Sequence, residues 1–204
     1  MKELKQVLIE RFGESNVQDF TPQKEDCFPL WMISLEHRSK ITILMTNGLS
    51  NYTMPVHEKH AGREHVELYF CLPSYWDIEN IEKQWVFEWI QKMAKHVTEK
   101  QTWFGVGHTI PNGNPAAAFS PTMNQRYLLL NEPMYLREKL ESVQLEDKEI
   151  HFLAVIPIFE DEMDYKMAKG TYKLLQKMEG KGISELLDDY RMSSLKSKWR
   201  IFKK

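Results

Sequence analysis

The residues best suited to chemistry lie in Thr102–Pro115, TWFGVGHTIPNGNP, which holds three glycines, two prolines, a Trp-Phe pair and His108. Glycine-rich loops cradle phosphates when their backbone N–H groups lead into a helix N-terminus. A dinucleotide fingerprint needs G-x-G-x-x-G between a strand and a helix. Gly105 and Gly107 supply the first pair, but position 110 is isoleucine, and Pro111 and Pro115 bar a helix from starting there. No Gly-Lys-Ser/Thr follows, so a P-loop is excluded as well. Asn112-Gly113 suits positive φ and the prolines stiffen the chain, so the segment reads as a sharp turn. His108 needs a nucleophile or a carboxylate close in space to act as a base or a ligand. A histidine hydrogen-bonded into the turn is the plainer reading.

The second candidate is HEKHAGREH, with His57, His60 and His65 beside Glu58 and Glu64. A zincin places two imidazoles at i and i+4 on one helical face. His57 and His60 stand at i and i+3 in a polar stretch with no helical periodicity. They read as histidines of a solvated loop, and neither metal nor cofactor is expected. The acidic groups FEDEMD (159–164) and LLDDY (186–190) have the pairing that acid–base chemistry uses when two pKa values are split. Asp161 and Glu162 fall at a helix start, where negative charge favours the macrodipole. Asp188 and Asp189 fall near a helix end beside Arg191, so capping and solvation account for both groups. There is no G-x-S-x-G elbow. Cys71 alternates with apolar neighbours and reads as a half-buried strand residue. The Trp85/Trp89/Met93 stripe reads as core. No catalytic constellation stands out, and the expectation is a protein that is not an enzyme.

The elements that must position these residues can be read from periodicity. Leu4, Val7, Leu8 and Phe12 have helical spacing and Gly13 suits the C-cap. A polar connection, GESNVQDFTPQKED, follows. PLWMISLE and ITILM read as strands joined by the polar HRSK, and Asn47-Gly48 ends the second. His65–Pro73 alternates as a strand. Residues 77–99 read as one helix, with Asp77 as N-cap and an apolar stripe from Ile81 to Val97. RYLLLNE (126–132) and IHFLAVIPI (150–158) read as strands, the second central because it is almost wholly apolar. Residues 160–179 read as a helix interrupted near Gly170, and ISELLDDY as a short helix capped by Ser184. This order predicts an α+β fold over 1–204: one domain, with a mixed, mostly antiparallel sheet and helices packed on it.

Composition narrows the function classes. A net charge of -2 argues against a general nucleic-acid binder. The C-terminal KSKWRIFKK gathers Lys196, Lys198, Arg200, Lys203 and Lys204 around Trp199, Ile201 and Phe202, and reads as a solvated end whose aromatics pack back on the domain. Cys27 and Cys71 fit no zinc or redox spacing, and the scarcity of cysteine suits a reducing compartment. The N-terminus lacks the pattern of a signal peptide and no apolar run has membrane-spanning length. The expected location is the cytoplasm.

Six motifs taken in order carry more. TNGLSNYTMPV (46–56), VELYFCLPSYW (66–76), TWFGVGHTIPNG (102–113), LLLNEP (128–133), IHFLAVIPIFEDEMDYKMAKGTYKLL (150–175) and ELLDDYR (185–191) resemble the suppressor-of-fused (SUFU-like) domain family in its bacterial form. The motif-bearing region is 28–191. The resemblance implies a mixed α/β sheet with packed helices, a protein-binding role and no known catalysis. The animal form grips a peptide strand with a tyrosine and an acidic residue near the loop. His96 and Gly107 stand there in this chain, so that partner does not carry over. Bacterial relatives often serve as immunity proteins that block a cognate toxin, which makes a toxin the implied partner. Trp103, His108 and Asn112 are the candidate contacts, by strand addition or through a shaped patch. Two alternatives stay open. One is a small-molecule- or metal-dependent enzyme using His108 or the His57/His60/His65 cluster. The other is a regulatory adaptor that sequesters another protein. Neither the oligomeric state nor the partner's identity follows from the residues.

Overall fold

Strands that read as unbroken apolar runs must be covered on both faces, and this sheet is. The computed structural model describes residues 3–20, 27–37 and 39–196; the tail from Ser197 onward lies outside them, so the structure does not bear on the reading of KSKWRIFKK. Among the described residues eight strands form one sheet: β1 (Val17–Phe20), β2 (Leu30–His37), β3 (Ser39–Thr46), β4 (His65–Pro73), β5 (Thr109–Pro111), β6 (Tyr127–Asn131), β7 (Val143–Gln144) and β8 (Glu149–Ile158). Their order is β1-β2-β3-β4-β8-β6-β5, with β7 paired to β8. All pairs are antiparallel except β4 with β8, which run parallel from His65↔Ile150 to Tyr69↔Ala154. This is the α+β, mostly antiparallel sheet expected.

Alternation sorts the side chains between two cores. On one face Val66, Leu68, Phe70 and Leu72 of β4 meet Trp85, Val86, Ile90, Met93, Ala94 and Val97 of helix α2 (Trp85–Glu99). On the other, Tyr69 and Cys71 meet Leu4, Val7, Leu8 and Phe12 of α1 (Leu4–Phe12) and Leu174 and Met178 of α4 (Thr171–Glu179). Each such aliphatic side chain contributes about 1.5–3 kcal/mol when fully buried. Helix α3 (Glu160–Lys169) precedes α4, and the two break at Gly170, φ +90°, as the sequence suggested. No described helix is long and apolar enough to cross a membrane.

Several local expectations are corrected. Helix α2 starts at Trp85, not near Asp77. Asp77 instead accepts from the Glu79 N–H, and Asn80 accepts from Glu82 ahead of the one-turn Ile81–Lys83 segment. Each of these short side chains closes a turn of its own, and Ile81 is left exposed. Cys71 is fully buried, because the layer of α1 and α4 covers the face that an alternating strand would leave to water. The polar connection after Gly13 contains edge strand β1, and the glycine-rich loop contains edge strand β5. ISELLDDY is not a helix. β8 pairs with β4 only as far as Ala154, and Leu186 takes the place beside Cys71, the Leu187 N–H donating to the Cys71 carbonyl at 2.8 Å.

Three buried glutamates fasten loops to this frame. Glu67 accepts from the N–H groups of Gly48, Leu49 and Ser50 at 3.1, 3.2 and 3.1 Å and from the Thr46 hydroxyl. Glu185 accepts from the N–H groups of Met134, Tyr135 and Leu136 at 3.0, 2.7 and 2.9 Å and from the Tyr69 hydroxyl at 3.3 Å. Glu162 takes two bonds from the Arg191 guanidinium, at 2.9 and 2.8 Å, and one each from the N–H groups of Phe159 and Ser194. Glu162 does cap α3, by accepting the Phe159 N–H, but it is buried and solvation does not describe it. It is half of a buried ion pair in which Arg191 is also tied to the Pro157 carbonyl at 2.7 Å and lies over the Phe159 ring.

The glutamates at 67 and 162 titrate in opposite senses. Burial raises the pKa of Glu67 above 4.5 despite its hydrogen bonds. Burial also pulls Glu162 up, but the hydrogen bonds and charge of Arg191 and the two amides outweigh it, and the pKa falls below 4.5. Stability that rests on Glu162 is therefore present above pH 4.5 and lost as pH falls through its folded pKa, whereas ionising Glu67 weakens the fold as pH rises past 4.5. Arg191→Ala leaves a buried carboxylate unpaired and is expected to cost about 3–5 kcal/mol in urea unfolding at neutral pH. The deficit should shrink on acidification toward pH 3. A deficit below 1 kcal/mol at pH 7, or one independent of pH, would contradict this role.

Candidate functional site

The loop 102–115 leaves α2 and returns along the sheet edge. Its backbone joins β6 by Gly107 N–H to the Leu130 carbonyl at 2.8 Å, Leu130 N–H to the His108 carbonyl at 2.9 Å, and Asn112 N–H to the Arg126 carbonyl at 2.8 Å. Antiparallel ladders alternate, so residues 108, 110 and 112 face β6. The Thr109 N–H and C=O and the Pro111 C=O then point away from the sheet. β5 is the last strand on this side, and Pro111 has no N–H to offer. The open edge is short and partly blunted.

Glycine spacing in the loop answers to close packing, not to phosphate. A Cβ on Gly105 would lie 2.6 Å from the Trp103 ring. A Cβ on Gly107, whose φ is +85°, would lie 2.9 Å from the Thr171 hydroxyl at the start of α4. The Trp103 indole thus folds over its own backbone, and the loop seats against a helix end.

Trp103 gathers three of the candidate histidines. His108 meets it edge-on at 4.3 Å between ring centres, His60 lies at 4.9 Å and His57 at 5.9 Å. His65 is elsewhere, bonded through Nδ1 to the Ser50 carbonyl at 2.9 Å. The three imidazoles of HEKHAGREH do not converge, and among the described residues no group of three His, Cys, Asp or Glu is arranged to hold a metal ion. Burial first, then the charges of Lys166 and His60, hold the His108 pKa below 6.5. Lys166 itself donates to the Thr109 hydroxyl at 3.4 Å, and burial lowers its pKa. Asn112 spends its amide inside the loop, donating to the carbonyls of Ala117 and Ala118 at 3.1 and 2.9 Å. His96 stacks on Phe104 with ring centres 6.1 Å apart.

Beside the loop opens a cleft of about 910 Å³, walled by Val106, Glu132, Tyr135, Arg137 and Tyr172. Val106 and Tyr172 are exposed apolar residues on its rim. Sequence reasoning missed this cleft, because its walls come from three separate segments of the chain.

Comparison with known proteins identifies the frame. The family model described as suppressor of fused protein (SUFU) matches residues 28–192. The chain belongs to the suppressor-of-fused family. No curated protein matches it by sequence. Among solved structures, it is similar to a SUFU homologue from Neisseria gonorrhoeae FA 1090, with TM-score 0.64 and 17% identity over 95% of this chain and 98% of that one. It is also similar to a chain of a Sufu–Fu complex, with TM-score 0.66 and 16% identity over 92% and 89%. A third is Suppressor of Fused of Drosophila, with TM-score 0.65 and 17% identity over 92% of this chain and 49% of that one.

The SUFU motifs of this chain now have physical content. Thr46, Gly48, Leu49 and Ser50 of the first are the donors to Glu67 of the second. Glu162 of the fifth pairs with Arg191 of the sixth, and Glu185 of the sixth holds Met134, which directly follows the LLLNEP motif. The motifs mark the buried clamps and the tight loop.

Two outcomes test the loop. His108 should titrate below pH 6.5 by NMR, and Lys166→Met should move its midpoint up. A midpoint at or above 6.5 would refute the assigned surroundings. Gly107→Ala should cost about 1–2 kcal/mol in thermal or urea unfolding, from positive-φ strain and the clash with Thr171. An unchanged stability would show that the loop is not seated as described.

Proposed function

We propose that this chain is a non-catalytic protein-binding domain of the cytoplasm, and that its partner is a toxin which it neutralises. The observation that carries the binding reading is the open β5 edge beside a closely packed loop that presents Trp103, His108 and the exposed Val106 next to a cleft. An extended partner segment can pair with the outward groups of Thr109 and Pro111 while its side chains reach the Trp103 patch. Trp103 and His108 are its direct contacts in this reading, and Asn112 sets the rim of the loop. The printed description of a Sufu–Fu complex supports a protein as partner, since a relative of the same fold forms a complex. The toxin rests on the resemblance to bacterial members of the family. A regulatory adaptor would use the same surface with another partner. The separation of His65 from His57 and His60 gives a metal-dependent enzyme no support.

The test is co-expression with the protein encoded next to this chain. The expected result is rescue from that protein's toxicity and a stable complex burying about 1,600 Å². Trp103→Ala should weaken the complex by about tenfold or more, with secondary structure retained. Absence of both complex and rescue would overturn the toxin reading. A Trp103→Ala variant that binds as tightly as the parent would move the interface elsewhere.

A further inference from the structure

Lys166 stands out among the cations around the sheet. Arg126 meets Glu160 at 3.3 Å, Arg63 meets Glu132 at 2.8 Å, and Lys5 meets Asp19. Lys166 is half-buried on α3, and among the described residues no carboxylate lies within ion-pair distance of it. The acidic residues of its own helix are turned elsewhere. Glu160 pairs with Arg126, Asp161 accepts from the Ser193 hydroxyl at 2.7 Å, and Glu162 pairs with Arg191. Asp164 is exposed and two residues back, a spacing at which helical side chains do not face each other. The Lys166 ammonium reaches β5 instead, donating to the Thr109 hydroxyl at 3.4 Å. That long bond uses one of its three donors. A half-buried ammonium without a counter-charge is held at a cost, and burial lowers its pKa.

β5 divides its side chains between the two layers of the fold. Thr109 turns to α3 and Lys166. Ile110 packs with the α2 layer, as does Trp103, and His108 meets Trp103. A strand added along the open edge repeats this alternation. The residue opposite Thr109 lies on the Lys166 face, with its Cβ about 5 Å from that of Thr109. The residues on either side of it lie on the Trp103 face. The Thr109 N–H and C=O both point outward, so that opposite residue can exchange two backbone bonds with it. The charges felt at His108 come from Lys166 and His60, both basic residues, so nothing at this edge repels an incoming carboxylate next to Lys166.

We propose that the partner strand which pairs with β5 carries an aspartate or glutamate opposite Thr109, between apolar residues that lie on Trp103, and that Lys166 is the residue that selects it. This rests on the β5-edge reading given above and adds the chemistry of the partner segment: extended, acidic on one face and apolar on the other. The pair is a charge-assisted hydrogen bond between a half-buried ammonium and a carboxylate, closed off from water by the added strand. A lysine at the same position meets Lys166 with like charge and is rejected.

The test titrates the full chain with acetyl-Thr-Val-Glu-Val-Thr-amide and with the same peptide carrying Gln or Lys in place of Glu. The readouts are the Thr109 amide and Trp103 indole signals in NMR. The Glu peptide should bind about tenfold more tightly than the Gln peptide, and the Lys peptide more weakly than either. The preference should vanish in Lys166→Met, persist in Lys166→Arg and shrink as salt is raised. Equal affinity for the Glu and Gln peptides, with the Thr109 amide shifted by both, would overturn the acidic selection and leave the edge reading in place. Binding that leaves the Thr109 amide unmoved would overturn the edge reading and the proposal with it. A Glu preference that survives in Lys166→Met would remove Lys166 as the selecting residue. No binding of any of the three at millimolar concentration would overturn the proposal, and the edge reading would then be decided by Trp103→Ala in the complex with the neighbouring protein.

Discussion

A buried carboxylate that accepts several backbone N–H groups has two effects at once. It satisfies donors that no helix or strand partner reaches, and it fixes the loop that carries them. Glu67, Glu185 and Glu162 do this for segments that start at Gly48, Met134 and Ser194. Without them the loops at the rim of the sheet could not hold their places. The loops at Gly48 and Met134 turn so that three consecutive N–H groups point inward, and an inward N–H without an acceptor costs about as much as a lost core methyl or two. The charge itself is secondary for Glu67, which burial pushes toward the neutral form, and primary for Glu162, which Arg191 holds ionised.

Much of this could be read from residue patterns, and the failures share a cause. Strands β2, β3, β4, β6 and β8 announce themselves because burial on both faces leaves long apolar runs. The strands that escaped notice are edges: β1 is VQDF and β5 is TIP, each short, and with partners on one side only. Cap-like residues misled in two places. Asp77 does make a local turn bond, but of its own and not that of α2. Ser184 caps nothing helical, because Glu185 beside it is drawn inward to three amides and forces the segment to extend. A glutamate's destination is not visible in its neighbours along the chain. Glu67 sits among strand residues just as a solvent-facing one would, and the donors that bury it lie near position 48.

The same limit applies to the site. Trp103, His108 and Asn112 were visible because tight glycine spacing and an Asn-Gly pair demand an unusual backbone. Their roles were not visible. Asn112 closes the loop from inside, His108 stands against the indole of Trp103, and His60 comes to the same ring from a segment some forty residues away. The cleft beside them is assembled from the loop, the turn after β6 and the start of α4; Glu185 clamps the turn, and the loop packs closely on α4 where Gly107 meets Thr171.

Rigidity of this kind bears directly on binding. A loop that must be ordered on contact gives up part of its interaction energy to lost freedom, whereas a pre-formed one does not. In this chain buried glutamates fix loops at the sheet rim, so those loops are ordered before any contact is made. Asp189 is the exception that makes the rule legible. Every clamp glutamate has its oxygens filled by amides or a guanidinium, and the segment it holds is thereby fixed. Asp189 is equally buried, but it is met by the Lys83 ammonium at 3.9 Å and by the Tyr75 phenol in place of amides.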